Sequence, residues 1–246
     1  MKQGYGNVER ENPLFDQRGL CLSELIIAAA VGTVLLAGSL EALNLVHAQA
    51  VQQQRSMAGQ QEMRAGLEVL EQEVRTASAT AITTAASDRL EFSANIHALE
   101  TTTTATVAPG QTVVPVQDGG GWGQGKSVRI CGAGGCESHR LAQTGQRLQL
   151  VLSEPVTGPF PAGASVEVMN RVAYYTRADD EGRLRLMRMI DGGAGVLIGD
   201  LHAVQLSYWD DRGRVTAVTG SVARVVIEIE PMDSRGKAVR EVTVRS

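Results

Sequence analysis

Residues 20–46 read LCLSELIIAAAVGTVLLAGSLEALNLV, with no charge between Leu25 and Leu40. As a helix the segment is roughly 40 Å long at about 1.5 Å per residue. That is enough to cross a hydrocarbon core of about 30 Å, and no later stretch of the chain could do so. The sequence therefore predicts one membrane helix near the N-terminus. A polar segment precedes it, with Lys2, Arg10 and Arg18 set against Glu9, Glu11 and Asp16. The next basic residue after Arg18 is Arg55, so the positive-inside rule puts residues 1–19 in the cytoplasm and everything after the helix on the far side. The chain has 246 residues, 43% hydrophobic and 20% charged, which suits a folded head of one large or two small domains. Its net charge of -4 excludes a generally basic nucleic-acid binder.

Glu24 is the anomaly in the apolar run. A carboxylate costs on the order of 2.5–3.5 kcal/mol at the centre of a membrane helix and less near an end. It persists either by snorkelling to the interface or by meeting a positive charge, and cleavage after Gly19 would supply one as the new amine of Leu20. Arg18-Gly19 followed by Leu20-Cys21-Leu22-Ser23-Glu24 resembles the class III signal of type IV pilins and type II secretion pseudopilins. In that family a prepilin peptidase cuts after the glycine and N-methylates the next residue. The resemblance implies a cut between Gly19 and Leu20, N-methylation of Leu20, and a filament-assembly role for Glu24. Leu20, Cys21 and Ser23 depart from the usual Phe, Thr and aliphatic residue, and the leader of residues 1–19 is longer than typical and has no net charge. Two other processing routes compete. Ala48-Gln49-Ala50 has the form of an ordinary signal-peptidase site, but Glu24 and Glu41 interrupt what should be a clean apolar region. A lipoprotein needs its cysteine after a small residue, whereas Cys21 follows Leu20.

No proline or strong turn signal appears between Val46 and Thr76. Met63, Leu67, Leu70 and Val74 fall on one helical face, and Glu71 and Arg75 make a favourable i,i+4 pair. The alternative to one long helix is an anchor followed by a separate amphipathic helix. From about Ala79 the pattern changes to short alternating runs, predicting strands at 89–94, 127–130, 147–153, 165–177, 183–190, 204–209, 214–218, 222–230 and 238–245. Asp179-Asp180-Glu181-Gly182 and Asp210-Asp211-Arg212-Gly213 each predict a hairpin turn. The connections are too short for crossovers, so the head should be antiparallel. The Thr-rich stretch from Thr101 to Gly125 reads as a long surface loop.

The stripe in residues 60–78 and the order of strands in the C-terminal half are similar to the PilW-like minor pilins and the J-type minor pseudopilins. Coverage is weakest across 95–165. The resemblance implies an α+β, pilin-like fold: a long N-terminal helix, half membrane-spanning and half amphipathic, packed on a large antiparallel β-rich head. The implied organisation is a leader at 1–19, a transmembrane half at 20–46, an amphipathic half at 47–78 and a periplasmic head at 79–246. Outside the cytoplasm, Cys131 and Cys136, which flank Gly-Ala-Gly-Gly, are expected to form a disulfide. A zinc site would add His139, but no fourth ligand is evident. Calcium at Asp179, Asp180 and Glu181 competes with a plain hairpin tip, and Arg183, Arg185 and Arg188 read as a solvated strand face.

No nucleophile elbow, metalloprotease motif or phosphate loop is present. The expectation is a non-enzymatic minor pilin without a cofactor, held in the inner membrane with a periplasmic head and then built into a filament, with tip priming suggested by head size. The partners implied are prepilin peptidase, the major pilin, other minor pilins or pseudopilins, and the inner-membrane assembly platform; no nucleic acid is expected. A J-type pseudopilin of type II secretion and a membrane-anchored or secreted adhesin are the alternatives.

Overall fold

A computed structural model describes residues 22–232 and 236–245. One helix, α1, runs unbroken from Leu22 to Thr76, roughly 80 Å at about 1.5 Å per residue. The described residues divide into two units inside this helix, between Arg55 and Ser56.

In the first unit, the stretch of α1 over residues 25–40 is uncharged and apolar on every side. Leu22, Leu25, Ile26, Ile27, Val31, Val34, Leu35, Leu36 and Leu40 are all more than half exposed. Its two hydroxyls between Leu25 and Leu40 bond back onto the helix, Thr33 Oγ1 to the Ala30 carbonyl and Ser39 Oγ to the Leu35 carbonyl, each at 2.8 Å. The stretch thus satisfies its polar atoms without water, as hydrocarbon requires. This helix is long and apolar enough to cross a membrane.

In the second unit the last turns of α1 pack on antiparallel strands. These are β1 (Ile82–Ala86), β2 (Arg89–Ala94), β3 (Glu100–Thr102), β4 (Val113–Pro115), β5 (Ser127–Gly132) and β6 (Gly135–Arg140). They continue with β7 (Gln149–Val151), β8 (Ser165–Ala178), β9 (Leu184–Ile190), β10 (Gly193–Trp209), β11 (Arg224–Pro231) and β12 (Ala238–Thr243). The main sheet follows the order β1-β2-β8-β9-β10-β11-β12; β3 and β5 also pair with β8, β6 pairs with β5, and β4 and β7 form a ribbon of their own. The chain's end returns to the helix's end, where Arg245 N donates to the Ala77 carbonyl at 3.0 Å.

Two hydrophobic cores share no residue. Leu67, Leu70 and Val74 of α1 join Leu90, Phe92, Val172, Tyr174, Leu206 and Ile227 in the first. Val114, Trp122, Val128, Ile130, Leu150, Val166 and Val168 lie in the second. Strand β8 serves both, because residues alternate across a strand and its even-numbered positions from Val166 to Tyr174 are all buried. The expected stripe Met63-Leu67-Leu70-Val74 is therefore the seat of the helix, with Met63 at its half-buried margin.

Three sequence expectations need correction. The Thr101–Gly125 stretch is not a surface loop. It contributes β3 and β4 and buries Thr101, Thr103, Val107, Val114, Val116 and Trp122. β-Branched Thr suits a strand, and these hydroxyls find partners inside: Thr103 Oγ1 donates to the Pro161 carbonyl at 2.7 Å and accepts from Ala164 N at 3.0 Å. Residues 214–218 form no strand, only a bridge between Trp209 and Val215, because the chain folds back on the end of β10. Strand β10 starts at Gly193 rather than 204, its bulged first half having no clean alternation.

Candidate functional site

Gly19 and Leu20, the expected cleavage and methylation positions, lie outside the described residues, as does Cys21. Glu24 lies in the first turn of α1 and is exposed, among apolar neighbours Leu22, Leu25, Ile26 and Ile27. A carboxylate at a helix N-terminus is favoured by the backbone dipole. The chemistry this end of the helix offers is a single negative charge in an apolar cylinder, suited to pairing with a cation in a low-dielectric setting.

The seat of α1 in the second unit is built for rigidity. Gly66 faces Ile198 so closely that a Cβ there would lie 2.4 Å from Ile198 Cγ1 and 3.1 Å from the Leu197 carbonyl oxygen. Ile198 reaches the helix because β10 is bulged on either side of it, between Val196 and Leu201, with Asp200 at φ 49°. One turn earlier, Glu62 Oε1 accepts from the Gly199 backbone N–H at 3.1 Å. Further along, buried Glu73 accepts from both Arg188 of β9 and the Tyr174 hydroxyl of β8. Burial pushes the Tyr174 phenol well above its usual range and the Glu73 charge adds to this, while the hydrogen bond to Glu73 raises Arg188.

This corrects the reading of Arg183, Arg185 and Arg188 as one solvated face. Residues three apart on a strand point to opposite sides, and Arg188 turns inward to Glu73. Arg183 and Arg185 close instead on Asp179 Oδ2, at 3.1 and 3.0 Å. Asp179 also accepts from the backbone N–H groups of Glu181 and Arg183, at 3.0 and 2.9 Å. The second turn repeats the device. Asp210 accepts from Arg212 N at 3.0 Å, Arg214 N at 2.8 Å and the Arg214 guanidinium at 3.0 Å. Gly182 and Gly213 take φ 76° and 72°, which glycine adopts without strain. Both Asp-Asp-X-Gly-Arg segments are thus self-locked hairpin turns, and the Asp179 carboxylate sought for calcium is occupied in holding one of them. Among the described residues no group of three or more His, Cys, Asp or Glu side chains could hold a metal ion.

Cys131 and Cys136 are directly opposed across β5 and β6 and are joined by a disulfide, with Cα atoms 4.1 Å apart. The hairpin is also tied to the 157–158 loop. Glu137 accepts from the Thr157 hydroxyl at 2.6 Å, the Thr157 N–H at 2.8 Å and the Gly158 N–H at 2.6 Å. The Thr157 hydroxyl is the main reason the Glu137 carboxyl is held down to about 2, helped by those N–H groups and by His139 at 3.0 Å. His139 is therefore a partner of Glu137. The sequence held one signal for this cluster: Glu137 and His139 alternate on a strand behind Cys136 and so share a face.

Compared with protein-family models, with curated proteins and with solved structures, the chain matches none.

Proposed function

We propose that this chain is a minor pilin of a type IV pilus, processed by prepilin peptidase and acting in filament assembly. One observation carries the reading. A single helix, Leu22–Thr76, is apolar and exposed all round in its first half and is seated by Leu67, Leu70 and Val74 in an antiparallel β head in its last turns. A protein that only needed an anchor would not require membrane span and head seat to lie on one continuous helix, whereas a subunit drawn from bilayer into filament does. The resemblance of residues 18–24 to a prepilin signal supplies the processing step: cleavage after Gly19, methylation of Leu20, then pairing of Glu24 with the N-terminal ammonium of a neighbouring subunit. The protein waits in the inner membrane with its head in the periplasm.

The test has two parts. The mature N-terminus should be Leu20; Val51 would mean ordinary signal-peptidase release and Met1 an uncleaved anchor, and either overturns the reading. Deletion of the protein should then abolish surface pili while leaving enzyme secretion intact. Retained pili with enzymes trapped in the periplasm would make it a J-type pseudopilin instead, and no change in either would favour an adhesin.

A further inference from the structure

Ala94, the last residue of β2, is hydrogen-bonded in register with Asn170 of β8. Everything between them, residues 95–169, is an insertion at what would otherwise be a simple β-hairpin. The inserted segment has its own strands, β3 to β7 and the first third of β8, its own core and the protein's disulfide. None of its residues belongs to the core that seats α1; only Ile96, in the connection after β2, packs against that core.

The seam is polar. Along the inward face of β8, Val166 and Val168 belong to one core and Val172 and Tyr174 to the other. Asn170 sits between them, fully buried, donating to Asp191 at 2.8 Å. Asp191 also accepts from Arg171 N at 2.9 Å and pairs with Lys126 at 2.5 Å, the one ion pair between the segment and the rest of the head among the described residues. Two open clefts of about 960 and 890 Å3 lie along the seam, and half of the residues lining each are Ser, Thr or Arg. Apolar burial is what couples folding units, and here it stops at Asn170. Domains of roughly 55–65 residues can fold alone, so the segment is large enough.

We propose that Glu100–Met169 is a self-folding lobe inserted in the β2–β8 hairpin, and that the helix with the seven-stranded sheet carries the assembly role without it. The second half of this rests on the pilin reading; the first does not. The lobe is then an added module, dispensable for insertion and assembly.

The two tryptophans fall one on each side, Trp122 in the lobe and Trp209 on β10. Full-length chain in detergent, as Trp209→Phe and Trp122→Phe variants, reports each side separately in urea unfolding by fluorescence. Leu150→Ala, in the lobe core, should lower the Trp122 midpoint by about 1 M and leave the Trp209 midpoint unchanged. Leu90→Ala should do the reverse. If either substitution shifts both midpoints equally, the two sides are one cooperative unit and the proposal falls. Replacing residues 95–169 with Asn-Gly should leave the Trp209 transition in place and the variant should still enter filaments. Loss of that transition overturns the independence of the core. A variant that folds but is excluded from filaments overturns the assembly assignment. Wild-type chain absent from filaments would instead sink the pilin reading and leave the unfolding result standing.

Discussion

Glu73 on the last turn but one of α1 and Arg188 on β9 form an ion pair across 115 residues of sequence, with Arg188 Nε 3.1 Å from Glu73 Oε2. Tyr174 donates its hydroxyl to the same carboxylate. The side chains are 10% and 30% exposed, so the pair is largely shielded from water. An apolar stripe alone lets a helix slide along or rotate on a sheet, whereas a charge that must meet one guanidinium fixes both motions.

Removing one partner should therefore cost more than the pair itself contributes. Breaking a fully buried pair costs about 3–5 kcal/mol, and the partial exposure of Arg188 lowers the expectation for Glu73→Leu or Arg188→Met to about 2–3 kcal/mol. The double replacement Glu73→Leu with Arg188→Met should recover more than half of this. Urea unfolding in a double-mutant cycle checks it; additive losses would show that the two residues act separately.

Gly66 is a second fixed point. In an exposed helix interior Gly→Ala gains about 1 kcal/mol. Here the new methyl would meet Ile198 at 2.4 Å, and overpacking of that kind costs about 1–3 kcal/mol. Gly66→Ala should thus be neutral to destabilising, and Gly66→Val clearly destabilising. Ile198→Ala removes both Cγ1 and Cδ1, the two side-chain atoms the new methyl would meet, so Gly66→Ala combined with Ile198→Ala should cost less than the two single changes summed. Thermal midpoints of the single and double variants decide it, and a stabilised Gly66→Ala single variant would show that the contact yields.

Local pattern made the helix legible, and the reasons are physical. A stripe at Met63-Leu67-Leu70-Val74 and a charge-free run at 25–40 are each properties of one segment. Strands 89–94, 165–177 and 183–190 were readable for the same reason. What escaped was set by distant partners. Thr101 and Thr103 look like loop residues until Asp118, Pro161 and Ala164 satisfy their hydroxyls from elsewhere in the fold. Strand β6 is hidden behind Gly134 and Gly135, and the inward turn of Arg188 depends on a glutamate on another element. Gly66 carries no sequence signal at all, since its need arises from a bulge in β10. At the membrane end, Glu24 was conspicuous because a charge in an apolar run stands out unaided.

Glu137 makes the 131–137 hairpin sensitive to acid. Its folded carboxyl is held to about 2 against an ordinary 4.5, chiefly by the Thr157 hydroxyl. A depressed folded value means that the stabilisation is present in full above the ordinary value and is lost as pH falls from about 4.5 towards about 2. Wild type should exceed Glu137→Gln in urea midpoint at pH 6, and the gap should close by pH 2. A gap independent of pH would mean that the contacts of Glu137 do not depend on its charge.

Reduction of the Cys131–Cys136 bond should weaken the head only modestly. The bond closes a very short loop, for which chain entropy gives about 2 kcal/mol, and the β5–β6 ladder and the β5–β8 pairing remain. Trp122 fluorescence in urea with and without reductant should show a lower midpoint and a native-like baseline. Collapse of the baseline would mean that the hairpin has no fold without its crosslink.

Glu24 and Gly19 separate processing from assembly. A peptidase that must admit the backbone at its cut needs a small residue there, so a bulky replacement of Gly19 should leave full-length precursor in the membrane. Mature-length protein from that variant would remove the peptidase from the account. Glu24→Ala leaves the cut untouched and removes the only acid in the first turn of α1. In a filament interior an unpaired ammonium is costly to bury, whereas one paired with a carboxylate keeps its charge at much lower cost. Glu24→Ala should therefore be cleaved normally yet co-purify with filaments at a small fraction of the wild-type level. Glu24→Asp, with the charge kept but drawn back by one methylene, should fall between the two. Equal incorporation of all three forms would show that the carboxylate plays no part in assembly and would leave the apolar surface of the helix to carry it alone.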